Sequence, residues 1–292
     1  MRFPQNSGHW LKHRGVFALL GALLLSVTLA GPVFAQLGHA VPGQIGFQDS
    51  ATPIMDEIRA FYNGILTPII FAVSIFVGAL LLIVVFRFNE KANPTPSTLT
   101  HNTTLEVAWT IVPVLILVFI AIPSFRLLDH ELVIPKTDMT VKVTGHQWYW
   151  SYAYPADGFD FDSYIKADKD LKPGDLRQLA VDNEAVVPVN KTILVQVTAS
   201  DVIHSFTVPS FGVRIDAVPG RLNQTWFRAT KIGMYYGQCS KLCGEDHAYM
   251  PIAFRVVSDA DYAAWVADAK KKFSANALPH YAEAAPAAVA RN

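Results

Sequence analysis

The chain has 292 residues, 51% of them hydrophobic, and carries 24 basic against 24 acidic side chains at a mean hydropathy of +0.27. That apolar content exceeds what one soluble domain usually carries, so membrane segments are the first thing to seek. The balanced charge gives no reason to invoke nucleic acid, and no internal repeat, phosphate-cradling glycine loop or nucleophile elbow is present.

Lys12 and Arg14 precede an uncharged stretch from Val16 to Ala30, and Val33-Phe34-Ala35 places small residues where a signal peptidase reads. Residues 1–35 are therefore expected to be a cleaved signal peptide, with Gln36 as the mature start; a retained membrane anchor is the competing reading. Cleavage removes Arg2, Lys12 and Arg14 and no acid, which leaves the mature chain mildly acidic.

No charged residue lies between Arg59 and Arg87, and the run from Ile65 to Phe86 is long enough to cross a bilayer as one helix. Glu106 and Arg126 bracket a second uncharged run, Val107 to Phe125, in which neighbouring helices can compensate Pro113 and Pro123. The spans (65–86 and 107–125) predict a two-helix transmembrane hairpin within residues 36–130. Arg87 and Lys91 in its short connection favour a cytoplasmic loop, and with the export signal they place the C-terminal half outside.

From Thr137 the texture changes to short β-branched and aromatic runs: Met139 to Val143, Trp148 to Tyr154, Thr192 to Thr198, His204 to Val208, Gln224 to Ala229 and Ile252 to Val257. Pro155, Asp157-Gly158, Pro173-Gly174, Pro188 and Pro219-Gly220 punctuate them, which predicts a Greek-key sandwich or barrel. Ser258-Asp-Ala-Asp261 suits a helix start, with Lys270, Lys271 and Lys272 in its last turn. The exported domain thus covers 131–273, and the Ala- and Pro-rich stretch 274–292 reads as a flexible tail.

Chemistry concentrates in one run, Cys239-x3-Cys243-x3-His247-x2-Met250, which contains both cysteines of the chain. Two thiolates, an imidazole and a thioether match what copper prefers, and His204 upstream offers a second imidazole. Zinc would fit two Cys and two His, but the methionine argues for the softer ion. A disulfide in an exported protein explains the cysteines without explaining His247 and Met250.

A β-sandwich holding Cys, His and Met in one late loop resembles a cupredoxin. Five motifs in order make the likeness closer: Glu106-Val-Ala-Trp109, Gly145-His-Gln-Trp-Tyr-Trp150, Asp201-Val-Ile-His204-Ser-Phe, Asp216-Ala-Val-Pro-Gly-Arg221, and Gly237-Gln-Cys-Ser-Lys-Leu-Cys-Gly244 through His247 to Met250. Over roughly residues 52–273 the chain resembles the bacterial subunit II of aa3-type haem-copper cytochrome c oxidases. The resemblance implies an α+β membrane protein: a transmembrane hairpin with an exported cupredoxin-like Greek-key β-sandwich. It also implies a binuclear copper centre, CuA, that takes electrons from cytochrome c and passes them to haem in the catalytic subunit, where O₂ is reduced to water with proton translocation. Cys239 and Cys243 become bridging thiolates, His204 and His247 terminal ligands, Met250 a weak ligand and the Lys241 backbone carbonyl another.

Trp148 then matches the position where electrons enter, with Tyr149 beside it, although an aromatic run in a strand also reads as core packing. Glu106 matches a carboxylate that admits protons to the catalytic subunit, and an interfacial glutamate also reads as a solvated flank. Docking of cytochrome c is implied for Asp201 and for acids in the 157–184 stretch, including Asp157, Asp160 and Asp162; a solvated loop explains that stretch as well.

The implied partners are the haem-copper subunit I, subunit III, cytochrome c and the lipid bilayer, in a bacterial inner membrane with the C-terminal domain periplasmic. Two positions depart from the family pattern. Ala153 stands where a docking glutamate is usual, and Lys241 replaces a glutamate whose carboxylate holds Mg²⁺ at the boundary with the catalytic subunit. An ammonium group cannot ligate Mg²⁺, so loss or alteration of that site is expected. Other readings are a quinol oxidase subunit, which normally lacks the copper ligands, a CuA-bearing nitric oxide reductase subunit, and a structural, disulfide-stapled domain on a membrane hairpin.

Overall fold

A computed structural model describes residues 38–95 and 97–273. The expected signal peptide 1–35 and the tail 274–292 lie outside the described residues.

Thr52 opens the first helix from an extended backbone: its Oγ1 accepts from the Met55 amide at 3.1 Å, and Pro53 fills the first helical position. Helix α1 (Pro53–Phe61) continues through a π-helical turn (Tyr62–Leu66) into α2 (Thr67–Arg87), an unbroken run of 35 residues. At ~1.5 Å per residue this run is longer than a ~30 Å hydrocarbon core, so its first turns project beyond the apolar span. Those turns bury Ile54 and Met55, and the Thr52 hydroxyl donates to the Phe211 carbonyl of the β domain at 2.8 Å. The helix thus starts at Pro53 rather than at Ile65. Its first two turns carry a half-buried amphipathic face that average hydropathy does not register.

Helix α3 (Thr103–Leu132) is capped by Asn102, whose Oδ1 accepts from the Leu105 amide at 3.2 Å, and runs through Pro113 and Pro123. It passes the expected limit at Phe125 by seven residues, which include Arg126, Asp129 and His130. His130 Nδ1 meets Glu57 Oε2 of α1 at 2.8 Å, tying the two helices where they approach the β domain. Both helices are long and apolar enough to cross a membrane, and their apolar side chains are exposed as lipid-facing or partner-facing surfaces would be.

Among the described residues ten strands follow: β1 (Met139–His146), β2 (Tyr149–Tyr154), β3 (Phe159–Ser163), β4 (Ala185–Pro188), β5 (Ile193–Ala199), β6 (His204–Val208), β7 (Val213–Ala217), β8 (Asn223–Phe227), β9 (Gly233–Gln238) and β10 (Pro251–Val257). One sheet has the order β3-β2-β1-β5-β8, with β1 and β5 parallel; β4-β10-β9 form a second, and β6 pairs with β7. The six expected runs are all strands. Strands β3, β4, β7 and β9 were not expected, because their segments are short and contain or adjoin glycine, aspartate or proline.

Alternate residues of β2, namely Trp150, Tyr152 and Tyr154, are fully buried with Phe206, Phe227 and Phe254. Burial of each such ring contributes on the order of 2–3 kcal/mol. Helix α4 (Asp259–Phe273) begins with Ser258 Oγ accepting from the Asp261 amide at 3.2 Å and lays Trp265 and Phe273 against Phe159 and Phe161.

Close approach between β6 and β9 joins the smaller sheets. A Cβ on Gly237 would fall 1.8 Å from the Thr207 carbonyl oxygen, so only glycine admits this spacing. Gly237→Ala is expected to destabilise the detergent-solubilised chain by at least ~1–3 kcal/mol, read as a lower urea midpoint of β-sheet circular dichroism. An unchanged midpoint would contradict the close packing.

Candidate metal centre

Strands β9 and β10 pair antiparallel, with Gln238 opposite Pro251, so the twelve residues between them form a closed loop anchored at both ends. That loop carries Cys239, Cys243, His247 and Met250, while His204 opens β6 beside it. The Ser240 amide donates to the Ser205 carbonyl at 3.0 Å, which fixes the loop to the strand that bears His204.

Six donors converge. The free thiols of Cys239 and Cys243 have their sulfurs 3.8 Å apart. On the Cys239 side lie His204 Nδ1 at 3.9 Å and the Lys241 carbonyl oxygen at 3.2 Å. On the Cys243 side lie His247 Nδ1 at 3.5 Å and Met250 Sδ at 3.6 Å. The ligand atoms of His204, Cys239 and Cys243 lie within 4.8 Å of one another, all three residues buried. Two sulfurs in the centre with an imidazole and a weak neutral donor on each flank make a set suited to a soft, thiolate-preferring ion, and copper fits it.

Surrounding contacts orient these donors. Asp201 Oδ1 meets His204 Nε2 at 2.9 Å and accepts from the Val202 amide at 2.6 Å, so the ring's Nδ1 is left facing Cys239. Asp201 Oδ2 accepts from the Gln147 amide at 2.7 Å. Trp150 donates its indole N–H to the Met250 carbonyl at 3.1 Å and packs edge-on to His204, with ring centroids 5.9 Å apart.

Trp148 and Tyr149 occupy the adjoining surface. The half-buried Trp148 donates Nε1–H to the Cys243 carbonyl at 3.3 Å, while Tyr149 stacks between His146 and Tyr164 at 4.5 Å from each. Asp162 is exposed on the neighbouring strand and accepts from Ser151 Oγ at 2.5 Å; Asp160 lies opposite Ala153 in the same pairing. Asp157 is turned to another use, accepting from Tyr262 Oη at 3.0 Å and lying 3.6 Å from Lys270 Nζ, both on α4. Lys241 has an exposed side chain, and Leu242 beside it is 81% exposed. Glu106 lies in the first turn of α3, at the end of the hairpin opposite the β domain. Asp157 and Glu106 are therefore not gathered with the copper donors. The motif did not reveal Gln147 and Trp150 as supports of the site, because both act on backbone carbonyls, which carry no residue-type signature.

Electrostatics follow from burial and hydrogen bonding. Burial raises both thiol pKa values, but at Cys239 the bonds from His204, from the Lys241 and Ser205 backbone and from Cys243 outweigh it, leaving that thiol well below its ordinary value. Cys243 is pushed up by burial and then by the charge on Cys239. Burial alone would lower His204, yet its bonds to Cys239 and Asp201 raise it. The thiols therefore lose their protons in two separated steps.

Residues 139–257 match the family model described as cytochrome C oxidase subunit II, periplasmic domain, and residues 40–127 match the corresponding transmembrane domain. The probable cytochrome c oxidase subunit 2 of Rickettsia bellii (strain RML369-C) is 48% identical over 264 residues, covering 90% of this chain and 95% of that protein. The chain belongs to the cytochrome c oxidase subunit II family. Cytochrome c oxidase subunit 2 of Cereibacter sphaeroides is 49% identical over 252 residues, 80% of this chain and 83% of the relative. Among solved structures, the periplasmic domain of subunit II of cytochrome oxidase from Bradyrhizobium japonicum is 64% identical and covers 48% of this chain and 99% of its own, with a TM-score of 0.46. The family supports the sequence reading of a two-helix membrane hairpin followed by a cupredoxin-like β domain.

In the metal-free chain, one thiol should react with iodoacetamide at neutral pH while the second resists until strongly alkaline pH. The early step reflects a depressed folded-state pKa, so it should persist below the ordinary thiol range and disappear only as pH falls through the depressed value. His204→Ala should move it upward toward the ordinary thiol value. Two thiols titrating together in the ordinary range, followed by mass spectrometry, would contradict the coupling.

Proposed function

We propose that this chain is the electron-accepting subunit of a membrane cytochrome c oxidase, holding two copper ions between Cys239 and Cys243. The observation that carries the reading is the donor set with two central sulfurs flanked by His204 and the Lys241 carbonyl on one side and by His247 and Met250 on the other. Copper bound there would accept one electron from a reduced cytochrome c and release it to haem of the catalytic subunit, so that O₂ is reduced to water in that subunit. Free thiols between two imidazoles support this assignment over a disulfide-stapled structural domain. The full set of side-chain ligands disfavours a quinol oxidase, and relatives named as cytochrome c oxidases favour that activity over nitric oxide reduction.

The chain's own residues then have separate tasks. His204 and His247 hold position through contacts on the β domain, and Asp201 fixes the His204 ring. The buried cluster excludes water, which keeps the electrostatic environment constant when one electron arrives. Trp148 offers a half-buried indole hydrogen-bonded to the Cys243 carbonyl, a short route from the surface to a copper ligand. Tyr149 supports that surface through its stacked neighbours. Asp162 and Asp201, with Asp160 nearby, give this face a negative edge suited to a basic cytochrome c. Asp157 contributes to that edge only weakly, because α4 already engages it.

Glu106, at the far end of the hairpin, is assigned to proton uptake by the catalytic subunit. Subunit III completes the complex, and the β domain faces the periplasm of a bacterial inner membrane, reached by signal cleavage after Ala35. Lys241 does not fit a Mg²⁺ site: its side chain is an exposed cation with no acceptor, so the site used by relatives is absent or rebuilt from other groups.

In the purified complex, Trp148→Phe should slow copper reduction by cytochrome c at least about tenfold without changing copper content. Asp162→Asn should lower kcat/KM at low ionic strength by about two- to threefold, an effect lost at high salt. Glu106→Ala should leave copper reduction intact and slow turnover. Stopped-flow spectroscopy with steady-state oxygen uptake separates these outcomes; wild-type reduction kinetics for Trp148→Phe would remove its assigned role.

A further inference from the structure

We propose that Gln147 is a positioning residue for electron transfer, clamping the two ligand-bearing segments and the Trp148 indole into one rigid unit. The inference rests on the copper and Trp148 assignments above. Gln147 sits in the turn between β1 and β2 and reaches in two directions. Its backbone N–H donates to Asp201 Oδ2 at 2.7 Å, and the other oxygen of that carboxylate meets His204 Nε2 at 2.9 Å. Its side-chain Nε2 donates to the Cys243 carbonyl at 2.8 Å, the same oxygen that accepts from Trp148 Nε1 at 3.3 Å.

A carbonyl oxygen only accepts, so the amide nitrogen must face it. The Gln147 bond is the shorter of the two, and the Trp148 bond alone is a weak anchor for an indole at the surface. Gly244, which follows Cys243, closes the arrangement. Its φ of +123° and lack of a Cβ let Trp148 and Gln147 lie against it; a Cβ there would meet Trp148 Cζ2 at 2.9 Å and Gln147 Nε2 at 3.1 Å. One residue therefore links the His204 support, the Cys243 peptide and the electron-accepting ring. Asp201 reaches His204 and the Gln147 amide but not the Cys243 carbonyl, and among the described residues the side chains that donate to that oxygen are Gln147 and Trp148.

The chemistry of this clamp separates it from a docking role. Gln147→Glu keeps the shape but turns an acceptor toward the carbonyl, while its negative charge increases attraction for a basic cytochrome c. Gln147→Lys keeps a donor and reverses the charge. Positioning therefore predicts that kcat and the rate of copper reduction fall about tenfold in Gln147→Glu and stay within about twofold in Gln147→Lys. Docking predicts the reverse ordering, expressed in KM and removed by salt.

The test uses the purified complex, with copper content and the electron paramagnetic resonance spectrum recorded before kinetics. A slow Gln147→Glu enzyme with full copper, an unchanged KM and a near-normal Gln147→Lys supports the clamp. Loss of copper in Gln147→Glu with retention in Gln147→Lys supports it too, since only the donor differs in the required sense. Equal kcat in all three, or a Gln147→Glu enzyme improved only through KM, overturns it. A wild-type complex lacking the copper spectrum would sink the functional reading itself, a result distinguishable from failure of the clamp.

Discussion

Antiparallel pairing of Gln238 with Pro251 closes the loop that holds five of the six donors, and the remainder of the site depends on that closure. A free loop of twelve residues would spread its thiols over many arrangements, and gathering them would cost conformational entropy each time a metal bound. Here the strands fix both ends, and the bond from Ser240 to Ser205 adds the strand bearing His204. Rigid β strands thus place donors from distant parts of the sequence at contact distance. The same rigidity keeps the surroundings nearly unchanged when a single electron comes or goes.

Glycine at two positions makes the closure sterically feasible. Gly237 lets β9 approach the Thr207 carbonyl, and Gly244 leaves room for the Trp148 and Gln147 side chains. Burial of the aromatic face of β2 provides the energy that holds this frame, and the Trp150 indole spends its one donor on the Met250 carbonyl. Core packing and site geometry therefore share residues. Elsewhere in the domain, Thr52 couples the first membrane helix to the sandwich through the Phe211 carbonyl, and Glu57 ties that helix to the second through His130.

Much of this was legible in the sequence. Uncharged runs revealed both helices, β-branched and aromatic runs revealed six strands, and the spacing of Cys239, Cys243, His247 and Met250 revealed the donor loop. Side-chain ligands announce themselves because few residue types can serve. Strands β3, β4, β7 and β9 escaped because they are short and carry Asp160, Asp162, Pro188, Asp216 or glycines, residue types depleted in strands, while neighbours in the sheets supply the missing stabilisation. The early start of α1 escaped because its buried face is set by contact with the β domain. Gln147 escaped because what it recognises is a backbone carbonyl brought near by a loop nearly a hundred residues away.

The central claim is a pair of coppers sharing the sulfurs of Cys239 and Cys243. Metal analysis of the purified complex, with the copper centre of this subunit read by electron paramagnetic resonance in wild type and in Cys239→Ser, tests it most directly. The account predicts two coppers on this chain with one unpaired electron delocalised over both, and loss of that signal in Cys239→Ser. A single copper with a localised signal, or two thiols recovered as a disulfide without metal, would contradict it.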